Sequence, residues 1–151
     1  MTTLRYRAVL FDLDGTLVDS YNALTEAVNH ARRTHGLPEL SSTDIREMVG
    51  EGIERLLQRA FDRTEVSESI VQSFVSRYDD ICCAESRVLE EVEGTLRQLS
   101  DLGVAMAVCT NKPTVFSKKI LDFLGLSHYF RAIVGPDIAG ARKPEARHLT
   151  V

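Results

Sequence analysis

No stretch of this 151-residue chain approaches the roughly 18 consecutive apolar residues that a membrane span requires, so no membrane partner is expected. The opening segment, MTTLRYRAVLFD, lacks the apolar core and small-residue cleavage site of a secretory leader, and its apolar run leads straight into an aspartate. Cysteine is scarce. Cys82, Cys83 and Cys109 are odd in number and two are adjacent, which suits neither a disulfide framework nor a zinc spacing. Free thiols in a reducing cytoplasm are expected. His30, His35, His128 and His148 show no paired ligand spacing and read as surface or turn residues. Basic residues are scattered rather than blocked and the net charge is -4, which gives no sign of a nucleic-acid partner. Internal repeats and low-complexity segments are also missing. What remains is a globular composition, 44% hydrophobic and 26% charged, with room for one core and a small appendage.

The apolar runs are short and each ends in polar residues. RAVLFDLDG is continuously apolar up to Asp12, which suits a strand covered on both faces in a parallel sheet. GVAMAVCTN repeats the pattern after a turn at Gly103, and FRAIVGPD gives a third, shorter case. Helical stripes lie between them. Leu96, Leu99 and Leu102 precede Gly103, and Phe116, Ile120 and Leu124 precede Gly125, with Pro113 suited to a first helical turn. Strand, helix, strand, helix, strand predicts right-handed crossovers and a parallel sheet. The region after Ser20 differs. Leu24, Ala27, Val28 and Ala31 make one stripe, Ile53, Leu56, Leu57, Ala60 and Phe61 another, and Ile70, Phe74, Tyr78 and Cys82 a third. A short helix is expected near Thr43. The expected organisation is α/β: a Rossmann-like parallel-sheet core over 1–16 and 86–151, with an inserted α-helical cap over 17–85.

This arrangement gives LFDLDGTLVDS a purpose. Carboxylates beside a buried strand are costly unless they do chemistry or bind an ion. Asp12 and Asp14 fall at the carboxyl end of the first strand, the edge at which open α/β sheets bind ligands. Thr110 and Asn111 end the second strand at that same edge, and Lys143 follows the third. Asp19 and Ser20 read as helix-start residues at the cap hinge. Asp137 reads as a turn residue. Glu51 and Arg55, beside Gly50 and Gly52, read either as substrate-reaching groups or as a solvated helix face.

FDLDGTLVDS, VCTNKP and ARKP, in that order, resemble the haloacid dehalogenase-like hydrolases, in particular the phosphoglycolate phosphatase-like branch with a helical cap. The resemblance implies a magnesium-dependent phosphatase acting on a small phosphorylated metabolite. Asp12 would be the nucleophile that forms an aspartyl-phosphate, and Asp14 the general acid and base. Magnesium would be held by Asp12 and by the backbone carbonyl of Asp14. Gly15 would let the turn bring amides to the phosphate, Thr110 and Asn111 would bind it, and Lys143 would steady the developing charge.

The chain also departs from the family pattern. A fourth strand with a Gly-Asp and a further Asp, which completes the family's metal site, does not follow Lys143. The expectations are a weakened metal site, impaired turnover, and an apolar first strand at the sheet edge that is covered by further chain or by a homodimer or domain swap. Two other functional readings share these residues. One is a non-catalytic phosphate-binding or self-associating remnant. The other is a phosphosugar mutase of the same superfamily.

Overall fold

The computed structural model describes residues 6–149. In chain order the elements begin with β1 (Ala8–Phe11) and β2 (Val18–Asp19). Four helices follow: α1 (Tyr21–Thr34), α2 (Ser42–Met48), α3 (Ile53–Ala60) and α4 (Glu68–Ile81). Then come β3 (Arg87–Val88), α5 (Val92–Asp101), β4 (Ala105–Cys109), α6 (Thr114–Phe123), β5 (Ala132–Val134) and the short α7 (Pro136–Ala139). The chain divides into two compact units, 1–19 with 87–151, and 20–86.

The first unit is built on a parallel sheet in the order β1-β4-β5. Ala8 pairs with Ala105 and Phe11 with Val108; Ala107 pairs with Ala132 and Cys109 with Val134. Both crossovers step in the same direction, so right-handed connections put α5 and α6 on one face of the sheet. The burial follows that rule. Met106 and Val108 are buried while Ala105 and Ala107, pointing the other way, are only half-buried. Leu96 on α5 and Phe116, Ile120 and Leu121 on α6 complete the covered side.

Two sequence expectations change here. β1 is not covered on both faces: Ala8 and Leu10 are exposed, Leu10 by 55%, and Val9 and Phe11 are half-buried. The reason is that α5 and α6 lie on one face while Ala8 and Leu10, level with Ala105 and Ala107, point to the other, and β1 has a hydrogen-bonded neighbour on one side only among the described residues. Leu102 lies at the end of α5 and is exposed rather than part of the buried stripe. The sequence also gave no hint of the antiparallel ribbon of β2 and β3, in which Val18 pairs with Val88 and Asp19 with Arg87. Arg87 Nη2 adds an ion pair to Asp19 Oδ2 at 2.8 Å. This ribbon is where the chain leaves and re-enters the unit.

The second unit is helical throughout. Ala23, Leu24, Ala27, Val28 and Ala31 form the buried face of α1, which packs mainly on Ile70, Phe74 and Tyr78 of α4. Phe74 and Tyr78 stack nearly parallel, 5.5 Å apart. Ser41 caps α2: its hydroxyl oxygen accepts from the Asp44 amide at 3.1 Å. Arg32 is the one buried cation of this unit among the described residues. Its guanidinium donates to the carbonyls of Pro38 and of Ala60, the last residue of α3, and lies over the Phe61 ring, so its charge is met by one loop carbonyl and one helix C-terminal carbonyl. Glu51 pairs with Arg59, and Arg55 donates to Gln58, both on exposed surface.

Candidate active site

The site begins where β1 stops. The register Phe11 to Val108 carries one residue further to place Asp12 level with Cys109, so both strands end at one edge. The chain then turns sharply. Leu13 is fully buried, and its carbonyl accepts from the amides of Leu17 and Val18 at 2.9 and 3.1 Å. Gly15 adopts φ 75°, which an L side chain rarely tolerates, and its amide donates to Val18 O at 2.9 Å. Leu13 thus anchors the loop in the core while Asp12 and Asp14, on either side of it, stay at the edge. The Leu13 amide donates to Asp12 Oδ1 at 2.8 Å.

Each carboxylate faces a different lysine. Lys143 Nζ lies 2.9 Å from Asp12 Oδ1. Lys112 Nζ lies 3.1 Å from Asp14 Oδ2, and that pair is much drier, with side-chain exposures of 5% and 15%. Lys112 was missed by the sequence reading. The signal was present: it stands two residues past Thr110, in the same strand-end segment, just before a proline that restricts its backbone to extended geometry.

Thr110 is fixed at every polar group but one. Its amide donates to Val134 O at 3.1 Å, and its hydroxyl oxygen accepts from the Lys112 amide at 3.1 Å. Its carbonyl accepts from His148 Nε2 at 3.0 Å. Asn111 bridges to the next loop: its Nδ2 donates to Lys143 O at 3.2 Å, and its Oδ1 accepts from the Lys143 amide at 2.8 Å. That double bond sets the position of Lys143. His148 is a correction to the sequence reading. It is 2% exposed, not a surface residue, and its Nδ1 lies 2.9 Å from Cys109 Sγ. Burial pushes the Cys109 thiol above its ordinary value, while the charges of Lys143 and Asp12 act on it in opposite directions.

Asp137 stands apart from the two carboxylates. Its Oδ1 accepts from the Thr114 amide at 2.8 Å and from the Thr114 hydroxyl at 2.9 Å, so it caps the start of α6 from a distance in sequence. Partial burial works to raise its pKa, but the Thr114 bonds outweigh that and hold the carboxyl below the usual range. Gly135 sits in the same corner, and its amide donates to Thr114 Oγ1 at 2.9 Å.

Among the described residues there is no group of three or more His, Cys, Asp or Glu able to hold a metal ion. Magnesium takes one or two carboxylates and fills its remaining positions with water and phosphate oxygens. The hard oxygens of Asp12 and Asp14 therefore fit such an ion in donor type.

The family model described as haloacid dehalogenase-like hydrolase matches residues 9–151. The chain belongs to the haloacid dehalogenase-like hydrolases. The chain is similar to a phosphoglycolate phosphatase of Agrobacterium fabrum, 38% identical over 146 residues, covering 93% of this chain and 63% of the relative. It is 35% identical to an N-acetylmuramic acid 6-phosphate phosphatase of Pseudomonas aeruginosa, covering 99% of this chain and 67% of the relative. Among solved structures, that of a predicted phosphoglycolate phosphatase from Haemophilus somnus superposes with a TM-score of 0.88 at 31% identity, covering 95% of this chain and 68% of that one. The chain thus spans about 63% of the length of the Agrobacterium relative. No helix among its described residues is long and apolar enough to cross a membrane.

Proposed function

We propose that the chain carries the phosphoryl-transfer site of a phosphatase that hydrolyses monoesters of small metabolites. The observation that supports it best is the 2.9 Å contact between Lys143 Nζ and Asp12 Oδ1 at the strand edge that also bears Thr110. A carboxylate 2.9 Å from an ammonium, at the sheet edge where Thr110 follows the neighbouring strand, suits nucleophilic attack on phosphorus. Asp12 attacks with an oxygen lone pair, the P–O bond to the leaving group breaks, and the leaving oxygen takes a proton from Asp14. Asp14, now a carboxylate, takes a proton from water as that water attacks the aspartyl-phosphate, and Asp12 is released with inorganic phosphate. Lys143 balances charge on the transferring group, and the Thr110 hydroxyl donates to one of its oxygens. Magnesium would be held by the Asp12 carboxylate and the Asp14 backbone carbonyl, and would supply the charge neutralisation that lets a carboxylate approach a phosphate dianion.

The two relatives named above support a substrate class. Phosphoglycolate and N-acetylmuramic acid 6-phosphate are both phosphate monoesters of carboxylic acids. We take that class as the substrate here, with phosphoglycolate first, in a cytoplasmic setting. Self-association through the β1 edge, where Leu10 is 55% exposed, belongs to the same reading and is checked by size exclusion over a concentration series. The deciding experiment is phosphate release from an aryl phosphate with magnesium present. Asp12→Asn is expected to abolish it, and Lys143→Ala to lower it by about 10²–10³. Turnover that survives Asp12→Asn removes the covalent route. A parent chain that neither binds nor releases phosphate removes the reading for this polypeptide.

A further inference from the structure

The phosphatase reading leaves two buried side chains without a part. Cys109 ends β4, and His148 lies in a 3₁₀ turn over Ala146–Leu149, just beyond Lys143. Their hydrogen bonding can be resolved from elementary chemistry. A carbonyl oxygen only accepts, so the nitrogen 3.0 Å from Thr110 O, Nε2, carries the hydrogen. In a neutral imidazole Nδ1 is then an acceptor, and the group facing it at 2.9 Å is the Cys109 thiol. The thiol's S–H is the matching donor. Burial, which keeps that thiol protonated, agrees with this assignment.

The bond that matters is the one to Thr110. Its amide, carbonyl and hydroxyl oxygen are engaged by Val134, His148 and Lys112, and the hydroxyl hydrogen is the polar hydrogen that these bonds leave for a ligand. His148 belongs to the segment that carries Lys143, and Asn111 binds the Lys143 backbone from β4's side. Two ties therefore run between the end of β4 and residues 143–148. We infer that His148 is a positioning residue for the phosphate-binding hydroxyl of Thr110, held in the tautomer that the Thr110 carbonyl requires and the Cys109 thiol matches. The inference rests on the phosphatase reading above.

The test is binding of inorganic phosphate, followed by calorimetric titration and through the backbone amide resonance of position 110, in the parent and in His148→Leu, His148→Gln, Thr110→Val and the Thr110→Val/His148→Leu pair. His148→Leu is expected to weaken binding about tenfold, the worth of one hydrogen bond. His148→Gln, whose amide can donate to Thr110 O, is expected to recover most of that. The pair should bind no more weakly than Thr110→Val alone, because both changes remove the same hydroxyl contact. His148→Leu binding as tightly as the parent overturns the inference, and so do losses that simply add. Should the Leu variant fail to fold, nitrogen-15 spectra of the unsubstituted protein decide: Nε2 must carry the hydrogen and Nδ1 must not at neutral pH, and the opposite tautomer or an imidazolium overturns the inference. A parent that binds no phosphate instead takes down the phosphatase reading, and this inference with it. A parent that binds, beside a His148→Leu variant that binds equally well, sinks only the inference.

Discussion

Replacing Lys112 by Met should destabilise the sheet unit more than any other single charge removal at this edge. Lys112 is 95% shielded along its side chain and Asp14 85%, at 3.1 Å separation. Removing one partner of a buried ion pair typically costs about 3–5 kcal/mol, because the other charge stays desolvated. Asp14 keeps some contact with solvent, so the low end, about 3 kcal/mol, applies. Methionine replaces most of the lysine stem, which limits any contribution from a cavity. For a chain of this length each kcal/mol moves the thermal midpoint by about 2–4 °C, giving a fall of about 6–12 °C. The assay is thermal and urea unfolding followed by circular dichroism, with amide exchange to assign the transition to the sheet unit. The Asp14→Asn/Lys112→Met double variant should be more stable than the sum of the two single losses by at least about 1.5 kcal/mol, since it buries no orphaned charge. A Lys112→Met variant within about 0.5 kcal/mol of the parent, or additive losses, would show that the pair is not a buried one in solution.

Three other outcomes follow from the corner between β5 and α6 and from the Asn111 bridge. Gly135→Ala should cost about 2–3 kcal/mol by calorimetry, because its new Cβ meets Lys112 O and comes within 2.7 Å of both Thr114 N and Asp137 Oδ1; its φ of -102° makes this a steric effect, not a backbone one. Asp137→Ala should cost about 1 kcal/mol through the lost cap on α6. Its folded pKa is lowered, so its contribution is complete above the ordinary carboxylate value near 4 and is lost as pH falls through the lower folded value. Urea titrations should therefore show the parent–variant gap constant at neutral pH and closing in acid. Asn111→Leu removes both bonds to the Lys143 backbone and should cost about 1 kcal/mol while weakening phosphate binding, measured by calorimetric titration.

The fold was legible wherever apolar residues form a run or recur with a period. The run up to Cys109 marked β4, and Leu24, Ala27, Val28 and Ala31 recur along α1; all four of the latter are buried. The edge position of β1 was expected from the departure after Lys143, but its composition alone read as a strand covered on both faces, because a buried strand and an edge strand of the same composition read alike. The site was legible as positions and not as pairings. Strand ends pointed to Asp12, Thr110, Asn111 and Lys143, but which ammonium faces which carboxylate depends on loop geometry that no periodicity encodes. Lys112 was passed over for that reason. His148 was misread because a histidine in a polar segment looks solvated, and only the fold of 140–149 back onto β4 brings it to Cys109 and Thr110.

Asn111 grips the Lys143 main chain on both its amide and its carbonyl, in the manner of a strand partner, and leaves the side chain at 143 untouched. Place and charge are therefore written at separate addresses. Exchanging residue 143 alters what is presented to the edge without shifting where the loop rests, whereas exchanging residue 111 moves the loop and leaves its cation intact. The cation at 143 can thus be removed to read its part in the chemistry while the Asn111 carboxamide keeps the main chain of the loop where it was.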